Sequence, residues 1–361
     1  MSLIPPAPLN KGGAGRRGDA CPQEKLFQQA LDRMKAILMT AVDVLQLQQV
    51  PTPKISQPHQ VLVALKAAGV NPIDTKIRKR GTFYPEQMPA ILGCDGAGIV
   101  EAVGAAVQDF RPGDEVYFCS GGLGKAGTGN YAEYALIDAD YLAHKPKSLS
   151  FAEAAAVPLV LITAWEALYD RARLQSGQSV LIHGGAGGVG HVAIQLAKLR
   201  GAKVYTTVGN SDKERLVRQL GADYPILYKQ TDFVAAILEE TAGKGVDIAF
   251  DTVGGETFGQ TCRAVRVYGD MVTILEPTGS WKEARDRNLR ISLELMLTPA
   301  LMGLPEAQKY QTEILRQGAR LIDDKKLTIH LSQTFPLAAA ISAHQLLETG
   351  AVTGKIALII D

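Results

Sequence analysis

A run of glycines lies between a buried-strand pattern and a helical pattern, and it limits the possible folds of this chain more than any other motif does. Residues 179–183 read Ser-Val-Leu-Ile-His, and residues 184–190 then read Gly-Gly-Ala-Gly-Gly-Val-Gly. The run contains G-x-G-x-x-G at Gly185, Gly187 and Gly190. In a strand–loop–helix unit, such glycines allow a tight turn, and backbone N–H groups at the helix start face a pyrophosphate. The sequence therefore predicts a dinucleotide site, with a glycine turn that binds no ligand as the structural alternative.

The strand after this helix indicates which dinucleotide is bound. An NAD site of this type usually has Asp or Glu about 20 residues after the loop to hold the ribose 2′-hydroxyl. Residues 204–211 contain no acid. Gly209 leaves space for a 2′-phosphate, and the side chains of Asn210 and Ser211 can form hydrogen bonds with it. Lys213 supplies a positive charge. Asp212, as an acid close to this position, argues against a 2′-phosphate. Lys213 could also be a solvent-exposed helix residue with no role in binding. We predict NADPH rather than NADH.

The chain separates into segments with different periods. Residues 34–157 contain short β-prone runs separated by glycines, which is typical of a compact, partly closed barrel. Over residues 158–300, strand-like and helical stretches alternate, which predicts βαβ units on a parallel sheet. Residues 301–361 begin with a helical pattern and end on an apolar strand. The strands expected are 180–183, 203–208, 246–250, 271–275, 327–331 and 356–360, and the helices are 188–200, 212–220, 232–242, 256–266, 305–323 and 337–349.

Composition excludes several classes of protein. Of 361 residues, 38 are Lys or Arg and 37 are Asp or Glu, so the chain lacks the basic excess expected for a nucleic-acid partner. No apolar run reaches the roughly 18 residues of a membrane span. Four scattered cysteines and six histidines without metal-ligand spacing argue against a disulfide framework and suit a cytoplasmic protein. Residues 1–33 are rich in Pro, Gly and Arg and lack the apolar core of a signal peptide, which predicts a flexible tail.

With their neighbours, these motifs resemble the medium-chain dehydrogenase/reductase superfamily. Within it the chain looks most like the zinc-free, zeta-crystallin-like NADPH:quinone oxidoreductases. The resemblance runs from Met34 to the C-terminus and is carried by residues 68–74, 89–98, 111–116, 129–134, 181–190, 251–255 and 354–356. It implies an α/β protein in which a GroES-like, β-rich catalytic domain is interrupted by a Rossmann domain with a doubly wound parallel sheet. The catalytic domain would comprise residues 34–157 and the return at 301–361, and the Rossmann domain residues 158–300.

The zinc alcohol dehydrogenases of the same superfamily provide a test for a metal. Where they carry a Cys ligand this chain has Asn71, and where they carry a His ligand it has Cys94. The third ligand would fall in residues 158–163, which contain neither Cys nor His. Because a catalytic zinc needs three protein ligands, no metal site is expected. A set made of Cys94, Asp74 and Asp95 is the one alternative.

The resemblance also implies roles for cofactor-binding residues. The pyrophosphate would lie on the loop of Gly185, Gly187, Gly188, Val189 and Gly190. Lys213 and Tyr228 match the family's contacts to the 2′-phosphate. Thr163 and Val253 match positions near the nicotinamide.

On the acceptor side, Asn71 matches a family residue that faces nicotinamide and substrate, with an Asx turn before Pro72 as the structural alternative. Lys76 stands where some quinone reductases carry Tyr, and Lys76 and Tyr84 are fallback proton donors. Asp74 and Asp95 are expected to organise the structure by hydrogen bonds, with an acid–base role as the alternative. His183 is expected to be a core histidine.

The function implied is hydride transfer from NADPH to a quinone or an α,β-unsaturated carbonyl without zinc. A metal-dependent alcohol dehydrogenase is one alternative, and a non-catalytic NADPH-binding structural or regulatory protein is another. Family resemblance also predicts a homodimer in which the strand at 271–275 pairs across the interface. The apolar residues 159–162 and 296–304 are expected to line a substrate cleft or the dimer surface.

Overall fold

The structure is a computed structural model that describes residues 33–278 and 280–361. The predicted tail lies outside these residues, except for Arg33, which begins the first strand. None of the helices in the described ranges combines the length and the apolar character that a membrane crossing requires.

Mostly antiparallel strands organise the first part of the chain. In chain order they are β1 (Arg33–Ala41), β2 (Val44–Pro51), β3 (Gln60–Val70), β4 (Ala90–Ile91), β5 (Asp95–Val103), β6 (Glu115–Cys119), β7 (Tyr134–Asp138) and β8 (Ala143–His144). Strands β2, β1 and β4 form one sheet, whereas β3, β5, β6 and β8 adjoin in a larger one, with β7 paired to β3. Along β3, alternate residues are buried up to Ala67, as expected for a strand with one face on the core. The β-rich segment is thus as predicted.

Three α-helices lie within or directly after this part of the chain. Only two of them lie between this part and the next: α2 (Phe151–Ala155) and α3 (Pro158–Trp165) follow β8, whereas α1 (Pro72–Arg80) lies within the first part, directly after β3. A single π-helical stretch, Glu166–Arg171, continues α3. Residues 159–162 lie within α3 and are almost entirely buried in the core. Because they are buried inside the protein, these residues do not form a dimer surface, and their place along a substrate cleft stays a prediction.

A six-stranded parallel sheet follows. Its strands are β9 (Ser179–Ile182), β10 (Lys203–Val208), β11 (Tyr224–Leu227), β12 (Val246–Asp251), β13 (Val265–Thr273) and β14 (Arg290–Leu293). They lie in the order β11-β10-β9-β12-β13-β14, so the chain winds outward in both directions from β9. This is the strand order of a doubly wound Rossmann sheet, in which ligands bind where the order reverses, at the carboxyl ends of β9 and β12. The predicted α/β fold class is confirmed.

The helices of this region are α4 (Gly188–Leu199), α5 (Ser211–Gln219), α6 (Phe233–Glu240), α7 (Thr257–Ala264) and α8 (Lys282–Asp286). Helix α4 buries Val192, Ala193 and Leu196 completely, since their spacing places them on one face. The four helices predicted here all exist; three are shorter than predicted, and α5 begins and ends one residue earlier than predicted.

The last part of the chain returns to the first sheet. It contains α9 (Thr298–Leu301), α10 (Pro305–Asp323), β15 (Leu331–Pro336), α11 (Ala340–Glu348) and β16 (Lys355–Ile359). Strand β16 pairs antiparallel with β3, with Ile356 opposite Val70, and β15 runs parallel to β16. The C-terminal segment thereby brings β16 beside the residue that precedes Asn71.

The strands differ from the predictions in three ways: one begins later, two were missed, and one does not lie at the edge of its sheet. A strand was expected at 327–331, but β15 begins only at Leu331. Strands β11 and β14 were not predicted, because each has only four residues and little periodic pattern. Strand β14 pairs with β13, so residues 271–273 do not form the edge of the sheet, and β14 forms it instead.

Candidate functional site

The glycine loop lies at the carboxyl end of β9, the central strand of the Rossmann sheet. Gly187 is the N-cap of α4, and its N–H group donates to the carbonyl oxygen of Gly184 at 2.8 Å. A Cβ on Gly190 would lie 2.8 Å from the Cα of Gly185 and would overlap the carbonyl oxygen of Gly184. Only glycine fits there without a backbone shift. The first N–H groups of α4 have no partner within the helix, so the loop offers them to an anion.

A cleft of about 770 Å³, called the nucleotide cleft below, opens beside this loop. Its volume lies in the range of about 300–1,000 Å³ found for small-molecule and cofactor sites. Five predicted cofactor residues line it: Gly187, Asn210, Lys213, Tyr228 and Val253. Residues 349–352, which precede β16, line it as well.

Tyr228 and Lys229 converge beside Gly209. A Cβ on Gly209 would lie 3.5 Å from Tyr228 Oη and 3.8 Å from Lys229 Cε. Asn210 caps α5, because its side chain accepts a hydrogen bond from the Lys213 N–H group at 2.9 Å. That bond holds the start of the helix that carries Lys213.

Three cations line the nucleotide cleft: Lys213, Lys229 and Arg263. Within residues 33–278 and 280–361, none of their side chains forms an ion pair or a hydrogen bond. Lys229 and Arg263 were not predicted. The sequence offered a signal for Lys229, which directly follows Tyr228, but none for Arg263, which lies on a helix after the fourth strand. A phosphate-bearing ligand would supply the missing partners.

Several predicted cofactor residues have other surroundings. Gly185, Gly188, Val189 and Gly190 belong to the loop and the start of α4 but not to the described wall of the nucleotide cleft. Ser211 is exposed at the start of α5. The Thr163 hydroxyl donates to the Leu159 carbonyl oxygen at 2.7 Å inside α3.

His183 follows β9 and is 2% exposed. Its Nδ1 contacts Thr207 Oγ1 at 3.1 Å and its Nε2 contacts Thr261 Oγ1 at 2.9 Å. Burial lowers the pKa of His183 to about 4, with a smaller opposing effect from Asp251. The imidazole is therefore a neutral, hydrogen-bonded part of the structure at neutral pH, in line with the core histidine expected.

The candidate catalytic residues lie in the first domain. Lys76, on α1, is half-buried, and burial lowers the pKa of Lys76, with Arg80 adding to the effect. Tyr84 is half-buried against the main hydrophobic core. Asn71 is fully buried. The structure does not bring these three side chains to the described wall of the nucleotide cleft.

Asn71 belongs to a buried polar group that we call the Asn71 cluster: Asn71, Asp74, Asp95, Tyr131, His344 and Lys355. The carboxamide of Asn71 donates from Nδ2 to Asp95 at 2.9 Å and accepts at Oδ1 from Lys355 Nζ. Asp95 also accepts from the Leu159 N–H group at 3.0 Å. Burial raises the pKa of Asp95, whereas Lys355 opposes this shift. The side chain of Asn71 thus bridges two charged groups.

A second branch of the cluster runs through Asp74. This carboxylate accepts from the Asn71 N–H group at 2.8 Å and from Tyr131 Oη at 3.2 Å, and Tyr131 Oη lies 3.1 Å from His344 Nε2. Burial raises the pKa of Asp74 to about 7. Sequence reasoning gave Asp74 and Asp95 a structural role by hydrogen bonding but did not connect them to Tyr131, His344 or Lys355.

The positions that correspond to zinc ligands lie beside this cluster. Cys94 is 1% exposed, and burial raises the pKa of the Cys94 thiol well above its usual value. Across the described ranges, no three His, Cys, Asp or Glu side chains are arranged to hold a metal ion.

Two family models match the chain. One, described as the alcohol dehydrogenase GroES-like domain, covers residues 57–147, and one described as zinc-binding dehydrogenase covers residues 220–358. The first range contains β3 to β8, and the second contains β11 to β14 of the Rossmann sheet together with β15 and most of β16.

Known proteins similar to this chain include reductases of two kinds. Quinone oxidoreductase 1 of Escherichia coli is 33% identical, over 85% of this chain and 93% of that protein. The 2-methylene-furan-3-one reductase of Solanum lycopersicum is 34% identical, over 88% of this chain and 76% of that protein. The crystal structure of Escherichia coli quinone oxidoreductase complexed with NADPH superposes with a TM-score of 0.79 at 31% identity, covering 91% of this chain and 99% of that chain. By sequence and by fold, this chain belongs to the medium-chain dehydrogenase/reductase superfamily.

Proposed function

We propose that this chain is an NADPH-dependent oxidoreductase that transfers hydride to a quinone or an α,β-unsaturated carbonyl. The observation that carries the proposal is the nucleotide cleft, where a glycine loop at the carboxyl end of β9 faces three cations without partners among the described residues. By their names, the similar proteins described above are reductases of quinones or of an enone, and one of the structures is described as a complex with NADPH.

The residues of the nucleotide cleft fit NADPH. The loop around Gly187 and the N-terminus of α4 would hold the pyrophosphate. Lys213, Tyr228 and Lys229 would contact the 2′-phosphate, because all three line the cleft and two of them are cations without an ion pair in the described ranges. Val253 is half-exposed on the wall of the cleft, which suits its predicted place near the nicotinamide. NADPH, when bound, supplies the hydride.

Further cofactor contacts are proposed from the sequence pattern. Gly185, Gly188, Val189 and Gly190 would shape the loop from behind, and Asn210 would fix α5 as its N-cap. Ser211 lies beside Lys213 and would donate to the phosphate. Thr163 would pack near the nicotinamide.

On the acceptor side, we propose that Asn71 donates to the oxygen that gains negative charge during hydride transfer. Its Nδ2 carries two hydrogens, and Asp95 accepts only one of them. Because the carboxamide is fully buried, an acceptor has to displace the side chains that cover it. Lys76 and Tyr84, which are half-buried and do not line the nucleotide cleft, are the alternative proton donors proposed.

We also propose a homodimer, zinc-independent activity and a cytoplasmic location. Strand β14 is the free edge of the Rossmann sheet, and Leu293 at its end and the nearby Leu295 are more than half-exposed. Light scattering at low micromolar concentration tests the dimer.

The described cysteines, Cys94, Cys119 and Cys262, form no disulfide, which suits a reducing compartment.

The test is NADPH oxidation by the purified chain with a panel of quinones, α,β-unsaturated carbonyls and alcohols, with and without added zinc. Turnover of a quinone or an enone without zinc is expected. Alcohol turnover that requires zinc would instead establish a metal-dependent alcohol dehydrogenase. Tight NADPH binding with no turnover of any acceptor would establish a non-catalytic binding protein.

A further inference from the structure

Lys355 is a buried lysine at the first position of β16, with 3% of its surface exposed. Its Nζ donates to Asn71 Oδ1 and, at 3.0 Å, to the carbonyl oxygen of Val70. Burial lowers the pKa of Lys355, whereas the nearby carboxylates of Asp95 and Asp74 raise it. A buried ammonium is stable only where such partners satisfy it. The position of Nζ is therefore fixed by the residues around Asn71.

The contact with Lys355 determines which way the Asn71 carboxamide faces. An ammonium group has only donors, so it contacts the oxygen of the carboxamide. The carboxylate of Asp95 has only acceptors when ionised, so it contacts Nδ2 on the opposite side. The reversed carboxamide would place N–H groups against the ammonium and an oxygen against the carboxylate. Lys355 and Asp95 together thus select one orientation.

Lys355 also connects Asn71 to the glycine loop. The preceding residue, Gly354, donates from its N–H group to the Ala186 carbonyl oxygen at 2.8 Å. A Cβ on Gly188 would lie 3.2 Å from Lys355 Cδ, so the stem of the lysine passes beside the start of α4. The same side chain therefore contacts the loop region at its stem and Asn71 at its tip.

We propose that Lys355 is a positioning residue that holds the Asn71 carboxamide in one orientation and at a fixed distance from the glycine loop. The kinetic consequence rests on the proposed function, because Asn71 is there the donor to the acceptor oxygen. A donor that turns or moves by about 1 Å can lower a rate by about 100-fold. Lys355 acts through Asn71 and does not itself touch the acceptor.

The kinetic test is a double-mutant cycle on the full-length chain. Lys355→Met keeps the stem and removes the charge, and it is expected to lower kcat by about 10- to 100-fold. The KM for NADPH is expected to change by less than about threefold. If Lys355 acts through Asn71, Lys355→Met causes almost no further loss in an Asn71→Ala background. A double variant whose kcat falls by the product of the two single effects would overturn the proposal.

The matched control is Lys145→Met. Lys145 is 8% exposed, donates to the Pro146 carbonyl oxygen at 2.9 Å and pairs with Glu115 at 3.1 Å. Within the described residues it contacts neither the glycine loop nor Asn71, so this variant should lose stability but keep kcat. An equal loss of kcat in both methionine variants would show a general effect of removing a buried charge, and it would contradict the proposal.

A second measurement does not depend on turnover. The side-chain NH₂ resonances of Asn71 in a ¹⁵N-labelled sample are assigned by their absence in Asn71→Ala. Lys355→Met should shift these resonances, and Lys145→Met should leave them in place. Unchanged resonances in Lys355→Met would overturn the proposal. If the wild-type chain reduces none of the acceptors, the proposed function fails, and this spectrum still decides the role of Lys355. Should Lys355→Met not fold, Lys355→Leu, which also removes both the charge and the N–H donors, is measured in its place against the same outcomes.

Discussion

The nucleotide cleft and the Asn71 cluster both contain lysines, but they use them in opposite ways. Lys213 and Lys229 line an open cavity and have no ion pair among the described residues. Lys355 is buried and hydrogen-bonded to Asn71 and Val70. The lysines of the cleft can therefore bind a ligand, whereas the ammonium group of Lys355 is already hydrogen-bonded to protein atoms. Substitutions in the cleft should change cofactor binding, and substitutions in the cluster should change stability and reaction rate.

The largest effect is expected at the glycine loop. Gly190→Ala introduces a Cβ 2.8 Å from the Cα of Gly185, so the loop or the start of α4 has to shift. NADPH binding should weaken by about 100-fold or more, measured by the change in NADPH fluorescence on binding. Gly259→Ala is the matched control, because its Cβ would meet no atom closer than 3.8 Å. Equal NADPH affinities in the two variants would show that the cleft does not depend on the loop.

A smaller effect is expected at the cations of the cleft. Lys213→Ala should weaken NADPH binding by about tenfold and leave NADH binding unchanged, because only NADPH carries the 2′-phosphate. Lys229→Ala should act in the same direction. Lys244→Ala, an exposed lysine outside the cleft lining, is the control. A parallel loss of NADH affinity would place Lys213 at another part of the cofactor.

In the Asn71 cluster, Tyr131→Phe removes the hydroxyl between Asp74 and His344. The imidazole of His344 then has no hydrogen-bond partner in the described part of the chain, since its Nδ1 already lacks one. The free energy of unfolding should fall by about 1–3 kcal/mol in a denaturant titration. NADPH affinity should stay within about twofold of wild type. Weaker NADPH binding without loss of stability would contradict the assignment of the Asn71 cluster to stability and of the nucleotide cleft to cofactor binding.

The smallest effect is expected from a buried acidic pair outside both regions. Burial and the neighbouring Glu294 raise the pKa of Glu166 above its usual value. The folded chain therefore binds this proton more tightly than the unfolded chain does, and the associated stability is lost as pH rises through the raised pKa. Glu166→Gln removes the titration, so the Tm of the variant should rise relative to wild type as pH increases from about 4.5, the usual pKa of a glutamate, to about 8, the raised pKa of Glu166. A Tm difference that stays constant over this range would contradict the shift.

The glycine loop, the order of strands and helices and the preference for NADPH were readable from the sequence because each depends on neighbouring residues. Gly185, Gly187 and Gly190 occur within six positions, and Lys213 lies five residues after the end of the second Rossmann strand. The Asn71 cluster was not readable, since Lys355 lies 284 residues from Asn71 and His344 lies 213 from Tyr131. Strand β14 was missed for a different reason, as four residues carry too little pattern.

The fold class and the place of a dinucleotide were therefore predictable from the sequence, because local periodicity and glycine geometry specify a strand–loop–helix unit. That Asn71 is covered, that Lys355 and Asp95 orient it, and that Lys76 and Tyr84 lie away from the cleft wall became evident only in the folded protein. Burial and the pairing of distant charges arise when β16 joins β3. No pattern along the chain records which polar groups meet there, and the free energy of burying a charge depends on those partners.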